Sequence, residues 1–105
     1  MKLRDIAHSR TGDKGDTLNI SAIAFDEADY PFLREHVTAE RVRAHLAGIA
    51  TGEVTRYELP GIGALNFVLT GALGGGVTRS LALDAHGKSL SSMLLSLDLP
   101  DRMPR

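Results

Sequence analysis

Two apolar stretches, TLNISAIAF (17–25) and ALNFVLTGAL (64–73), limit what this chain can fold into more than any other feature. The first is rich in β-branched residues, and turn-forming residues lie on both sides of it, which is typical of a strand. The second places Leu65, Phe67 and Leu69 on one face of an extended segment, which predicts a buried strand. A sheet with such a face needs a covering layer, so the fold must supply helices to pack on it.

The segment between these strands is predicted to be helical. Asp29 and Pro31 suit a helix cap and first turn, and Thr38 suits a second cap, with Glu40 in the first turn after it. The apolar positions that follow recur at helical spacing: Ala39, Val42, Leu46 and Ile49. The pattern fits two short helices or one broken helix.

The remaining segments complete a strand-rich chain with a final helix. Residues 2–8, 53–60 and 77–84 are predicted to be strands, and the short turn PGIG (60–63) indicates antiparallel pairing of its flanking strands. The segment KSLSSMLLSLDL has an amphipathic pattern built on Leu90, Met93, Leu94 and Leu97. At 105 residues this predicts one domain, a two-layer α+β sandwich whose mainly antiparallel sheet carries helices on one face.

Composition excludes several classes of function. The net charge of −1 argues against a general nucleic-acid or membrane-surface binder. The absence of cysteine excludes disulfides, thiolate catalysis and cysteine-ligated zinc. The four histidines show no local metal-binding spacing, so we expect no metal and no cofactor. The sequence has no secretory leader pattern and no run long enough to span a bilayer, which predicts a cytoplasmic protein.

The best candidate for a site is the charged stretch HSRTGDKGD (8–16). We interpret it as a loop of about nine residues connecting two strands, which exceeds a tight hairpin turn. Gly12 and Gly15 permit positive φ and close backbone approach, so that successive N–H groups could converge on an anion. Arg10 and Lys14 would add charge and directional donors for a carboxylate or phosphate.

The same stretch offers weaker candidates for catalysis. His8 could act as a base or donor, and Asp13 and Asp16 could act as acid or base or offer oxygens to a divalent cation, although two carboxylates alone make a weak site. A solvated surface turn in which acidic and basic side chains neutralise each other remains the alternative from composition.

A second candidate lies in the later strand and the glycines after it. Asn66 is polar within an apolar strand and must find partners if it is buried. Gly74, Gly75 and Gly76 suggest a flexible loop or a backbone packed closely on a ligand or partner, and Arg79 follows them. With Asn19, these residues complete the predicted ligand- or partner-binding set.

Three blocks of the sequence resemble the small ferredoxin-fold domain of the AtuA-like family: LRDIAHSRTGDKGDTLNI, RYELPGIGALNFVLTGALGGGVTRSL and DAHGKSL. The similarity runs from about Leu3 to Leu97. The matching motif positions are Arg10, Gly12, Asp13, Lys14, Gly15, Asp16, Asn19, Asn66, Phe67 and residues 71–76. The resemblance implies a ferredoxin-like fold. The name does not imply an iron–sulfur cluster, for which this chain lacks the thiolates.

The resemblance also implies a role. In larger family members this domain lies at the C-terminus of the acyclic terpene utilisation protein, so we expect a free-standing version that acts with a separately encoded large AtuA-like subunit. The expected setting is catabolism of branched or terpenoid acids through CoA thioesters, with a small anionic or CoA-type ligand possible and a homo-oligomer expected in isolation. The family brings no established reaction. The competing hypothesis is a small stand-alone enzyme that acts on CoA thioesters as an isomerase, hydratase or lyase. The sequence leaves open whether the chain is an enzyme, and it favours a chain that has no catalytic activity on its own.

Overall fold

The computed structural model describes residues 1–14, 17–46, 52–70 and 91–101, with the backbone alone at 13 and 14. The strand predicted over 77–84, the glycines 74–76 and Arg79 lie outside these ranges.

Within the described residues, five strands form one sheet. They are β1 (Ala7–His8), β2 (Thr11–Lys14), β3 (Thr17–Ala24), β4 (Val54–Leu59) and β5 (Ala64–Leu69). The order across the sheet is β1–β3–β5–β4, and β2 also pairs with β3. Every pairing is antiparallel. Pro60–Ile62 forms a 3₁₀ turn between β4 and β5, and Gly63 ends it with φ near 63°. The predicted antiparallel pairing across PGIG is therefore confirmed.

Two short helices connect β3 to β4. They are α1 (Tyr30–His36) and α2 (Ala39–His45), and residues 91–95 form a further helical segment, α3. Because β3 and β4 both run antiparallel to β5, they are parallel to each other with β5 between them. This split β-α-β arrangement is the unit of ferredoxin-like folds. The predicted α+β class, with an antiparallel sheet and helices on one side, is confirmed.

The interpretation of HSRTGDKGD as a long loop is wrong. Within it, His8 belongs to β1 and Thr11–Lys14 forms β2. The register against β3 is continuous from the Ala7–Ala24 pair to the Lys14–Thr17 pair. The stretch therefore lies mainly on one arm of a hairpin, because backbone pairing with the β-branched β3 outweighs the weak strand preference of its own glycines and charges.

The core lies on one face of the sheet. Alternate residues of β3 and β5 are buried there, and the helices supply the opposing layer. The buried residues include Leu18, Ile20, Ala22, Leu65, Phe67 and Leu69 from the strands, and Leu33, Val37, Val42, Leu46 and Leu94 from the helical layer. One residue of the predicted α3 stripe differs: Met93 is 39% exposed, whereas Leu94 and Leu97 are buried.

Side-chain bonds fix the ends of the helices. Thr38 accepts a hydrogen bond from the Arg41 N–H at 3.1 Å, as predicted for an N-cap. At the other end of α2, His45 Nε2 lies 2.5 Å from the carbonyl oxygen of Met93. An N–H at that nitrogen donates to the carbonyl and links α2 to the last turn of α3. The linked helices lie together over the sheet.

Arg56 ties strand β4 to the end of α1, and we expect Arg56→Met to destabilise the fold. Its Nη1 donates to the carbonyl oxygens of Arg34 at 2.6 Å and Val37 at 3.0 Å. These carbonyls end α1 and lose a charged donor in the variant. Urea denaturation should show a loss of about 1–3 kcal/mol. Glu58, which accepts from Arg56 Nη2 at 3.1 Å and is half exposed, provides the control: Glu58→Gln should cost under about 1 kcal/mol. Equal losses would contradict the role of the helix carbonyls.

An exposed ion pair joins the two chain ends and makes a small pH-dependent contribution. Lys2 Nζ lies 2.7 Å from Asp98 Oδ1, and this hydrogen bond and the lysine charge lower the pKa of Asp98. A lowered pKa means that the stabilisation is present above the unfolded-state pKa and is lost as pH falls through the folded-state value. In Lys2→Met, NMR titration of the Asp98 carboxyl should therefore give a higher pKa than in the parent. An unchanged value would contradict the pairing.

Candidate functional site

Over the described residues, the face of the sheet opposite the core is largely solvent-accessible, although Ala64 is buried, and we call it the open face. Strand alternation places these residues at its register positions: His8, Arg10 and Gly12; Asn19, Ser21 and Ile23; Ala64, Asn66 and Val68; Thr55, Tyr57 and Leu59. The set combines aromatic, aliphatic, amide and basic side chains. It is therefore a mixed surface, unlike the mainly apolar face that β3 and β5 present to the helices.

A polar row crosses the centre of the open face. Asn66 pairs with Ser21 on one side and with Tyr57 on the other. Arg10 extends the row, because the Ser21 N–H donates to the Arg10 carbonyl at 2.9 Å and the Arg10 N–H donates to Ser21 Oγ at 3.2 Å. We call Arg10, Ser21, Asn66 and Tyr57 the central row. Residues directly opposite on neighbouring strands have Cβ atoms about 4.5–5.5 Å apart, so they act as one surface.

The polar groups at the tips of the central-row side chains are available for binding. Asn66 is half-buried, and its amide makes no hydrogen bond within the described residues. The same holds, over those residues, for the Arg10 guanidinium and the Tyr57 hydroxyl. The central row therefore presents donors and acceptors to whatever covers it.

Apolar side chains are exposed beside the central row. Phe25 is 65% exposed, Ile62 61%, Tyr57 52% and Leu59 41%. The ring of His8 stacks on Phe25 with centroids 5.5 Å apart, which extends the flat apolar area. Exposed aromatic residues, with an arginine on the same face, are residue types that protein interfaces favour.

The structure brings together part of the predicted binding set. Arg10, Gly12, Asn19 and Asn66 share the open face although they come from three strands. Asp13 and Lys14 continue β2, where their backbones pair with Leu18 and Thr17. The other predicted binding residues lie outside the described residues: Gly15, Asp16, Gly74, Gly75, Gly76 and Arg79.

The anion-binding geometry predicted for Gly12 is wrong. Gly12 lies in β2 opposite Asn19, in a strand rather than a turn. Over the described residues, positive φ occurs at Gly63. A regular strand does not direct successive N–H groups toward one point, so Gly12 cannot form the proposed cradle. Of the weak catalytic candidates, His8 lies at the end of the open face, stacked on Phe25.

Sequence reasoning missed Ser21, Tyr57 and Leu59. Tyr57 and Leu59 lie with Val54 in the strand predicted over 53–60. Strict alternation separates them, since Val54 falls with Arg56 on the helix side and Tyr57 with Leu59 on the other. That alternation was the signal that could have found the open face from sequence.

Two clefts of the described residues lie beside α2 and away from the central row. One is bounded by α2 and the start of β4, at Arg43 and Val54, and another by α2 and the C-terminal segment, at Arg41 and Asp98. Within the described residues no three histidine or carboxylate side chains converge as metal ligands. None of the helices described is long and apolar enough to cross a bilayer. The open face is a flat surface, which suits a macromolecular partner better than a small ligand.

A split β-α-β sandwich with one covered and one open sheet face is the class of domain that these observations define. Comparison with known families identifies the domain family: the sequence model of the AtuA ferredoxin-like domain matches residues 1–100. The chain therefore belongs to the family of AtuA ferredoxin-like domains. No curated protein and no solved structure matches it.

Proposed function

We propose that this chain is a cytoplasmic accessory subunit that acts with a separately encoded large AtuA-like protein in the catabolism of branched or terpenoid acids through CoA thioesters. The observation that carries the proposal is the open face, where the central row and the exposed residues Phe25, Leu59 and Ile62 form one uncovered surface. The choice of partner is supported by the resemblance, because larger family members carry this domain fused to a large region.

The composition of the open face supports a role in assembly. Tyrosine and arginine are the residue types that most often dominate the energy of protein interfaces, and Tyr57 and Arg10 lie at the two ends of the central row. The half-buried amide of Asn66 would gain partners from a covering surface. A docked protein would also remove the exposed apolar side chains from water.

Co-expression with an adjacent large AtuA-like gene, followed by affinity purification of the small chain, tests the proposal. We expect the two proteins to co-purify, and Tyr57→Ala to reduce the yield of the large subunit at least about tenfold. Glu40→Ala, on the exposed surface of α2, is the matched control and should leave the yield unchanged. Failure of the large subunit to co-purify with the parent chain would overturn the accessory role.

The enzyme hypothesis has a separate test. The purified chain is assayed for turnover of acyl-CoA substrates, alone and with the large subunit. The accessory role predicts activity only in the presence of the large subunit. Turnover by the chain alone, abolished in Asp13→Ala or Asp16→Ala, would favour the stand-alone enzyme instead.

A further inference from the structure

We infer that in the isolated chain the open face is closed by a second copy, related by a two-fold axis that runs parallel to the strands between β3 and β5. This inference rests on the proposed function only in taking the open face to be an interface. It names the occupant of that face when no large subunit is present.

The central row is complementary to itself under this symmetry. Read from β2 to β4 it runs arginine, serine, asparagine, tyrosine. The two-fold axis reverses that order in the second copy, so Arg10 lies opposite Tyr57 of the second copy and Ser21 lies opposite Asn66 of the second copy. A guanidinium over a tyrosine ring is a favourable cation–π pair, and each occurs twice in an isologous interface.

The same axis gives the amide of Asn66 a partner. Ser21 Oγ already accepts from the Arg10 N–H at 3.2 Å and lies 3.4 Å from the Arg10 carbonyl, to which it can donate. A hydroxyl oxygen has a second lone pair, which can accept from the amide N–H₂ of the opposing Asn66. The half-buried amide is then satisfied at the centre of the interface.

A second row of the open face, on the side of the central row toward Phe25, is also complementary to its own copy across the axis. It consists of His8, Ile23, Ala64 and Leu59. Reversal sets Ile23 over the position of the small Ala64 of the second copy, which is already buried within its own chain, and sets His8 opposite Leu59. Large residues facing small ones let two sheets pack at the usual spacing of about 10 Å.

The row on the other side forms a polar margin. It contains Gly12, Asn19, Val68 and Thr55, of which Asn19 and Thr55 are exposed. Among the described side chains of these three rows Arg10 is the one formal charge; Lys14 and Glu53 continue the face beyond them, next to Thr17 and Thr70. The two-fold axis keeps the two Arg10 residues at opposite ends of the central row, so like charges do not meet.

The size of the face sets the expected strength. Four strands spaced about 4.8 Å apart and six residues long give a face of roughly 15 by 20 Å. Such a patch buries roughly 600 Å² in total, less than stable specific interfaces do, so a transient dimer with a dissociation constant on the order of 100 µM is expected. The homodimer is therefore weak enough for a large subunit to displace.

Sedimentation velocity of the purified chain, over a range from about 1 µM to several hundred micromolar, measures the dimer. We expect the mass to rise from the 11.3 kDa monomer to twice that value with concentration. Arg10→Glu should weaken the dimer at least about tenfold, and adding Tyr57→Arg to it should restore association, because the pair is exchanged across the axis. A monomer at every concentration, or no rescue by the double variant, would overturn the inference.

Cross-linking tests the position of the axis. Because the chain has no native cysteine, a maleimide reagent reacts at the introduced cysteines. With a short bis-maleimide, a variant carrying both Arg10→Cys and Tyr57→Cys should form covalent dimers. Each single variant should remain mainly monomeric, because the two copies of one position lie at opposite ends of the row. Efficient cross-linking of the single Arg10→Cys variant would contradict the proposed axis.

These outcomes are distinguishable from those of the proposed function. A monomeric chain that still co-purifies with the large subunit removes the homodimer and leaves the accessory role. If the double variant restores the dimer and no large subunit co-purifies with the parent chain, the homodimer stands and the accessory role is overturned.

Discussion

Phe67→Ala is expected to destabilise the protein by about 3–5 kcal/mol, the largest effect of any substitution considered. Phe67 lies in β5 at the centre of the sheet and is fully buried beneath the helices. Truncation removes its buried apolar area and leaves a cavity that the paired strands on both sides cannot close. Urea denaturation monitored by circular dichroism measures the loss.

The matched control for this prediction is the next residue on the same strand. Val68 lies on the open face and is half-buried, so Val68→Ala should cost about 1 kcal/mol or less when measured at concentrations where the chain is monomeric. The contrast tests the one-sided core directly. If both variants lost the same stability, the two faces would be equally buried and the open face would not exist.

Gly52→Ala is expected to destabilise the protein by about 2–3 kcal/mol. A Cβ atom at Gly52 would lie 2.1 Å from the carbonyl oxygen of Thr70 and 2.8 Å from its carbonyl carbon. The obstacle is backbone, so no rotamer change relieves it. The strand ends must move apart, which strains the bonds from the Thr70 N–H to the Glu53 carbonyl at 3.0 Å and from the Glu53 N–H to Thr70 Oγ1 at 3.1 Å.

Gly61 provides the control for the steric argument. It is exposed, and an added Cβ would meet no heavy atom within 4 Å. Gly61→Ala should therefore change stability by less than about 0.5 kcal/mol. Thermal unfolding of the two variants, measured in parallel, compares their stabilities. A Gly52→Ala protein as stable as the Gly61→Ala protein would show that the close approach to Thr70 is not a constraint.

Much of the architecture could be predicted because the patterns are local. The stretch 17–25 gave β3, residues 64–69 gave β5, and the cap at Thr38 gave the start of α2. These segments carry their own periodicity and capping residues, and the tertiary structure agrees with them. The charged stretch 8–16 was misread because its glycines and aspartates favour a turn locally, whereas its partner strand β3 holds Thr11–Lys14 extended.

The candidate site was predictable only in part. Arg10, Asn19 and Asn66 were selected singly, as polar residues in an otherwise apolar setting or in a charged motif. Their common placement depends on the strand order β1–β3–β5–β4, which puts residues far apart in sequence side by side. No local pattern encodes which strands become neighbours.

The sequence by itself determined the α+β class, the two buried strands and the family, because each of these can be recognised from continuous stretches of residues. Only the tertiary structure decided that Arg10, Ser21, Asn66 and Tyr57 form one row on an uncovered face. The physical reason is the two-residue period of a strand. It sends alternate side chains to opposite faces, and the pairing register then sets which of them meet.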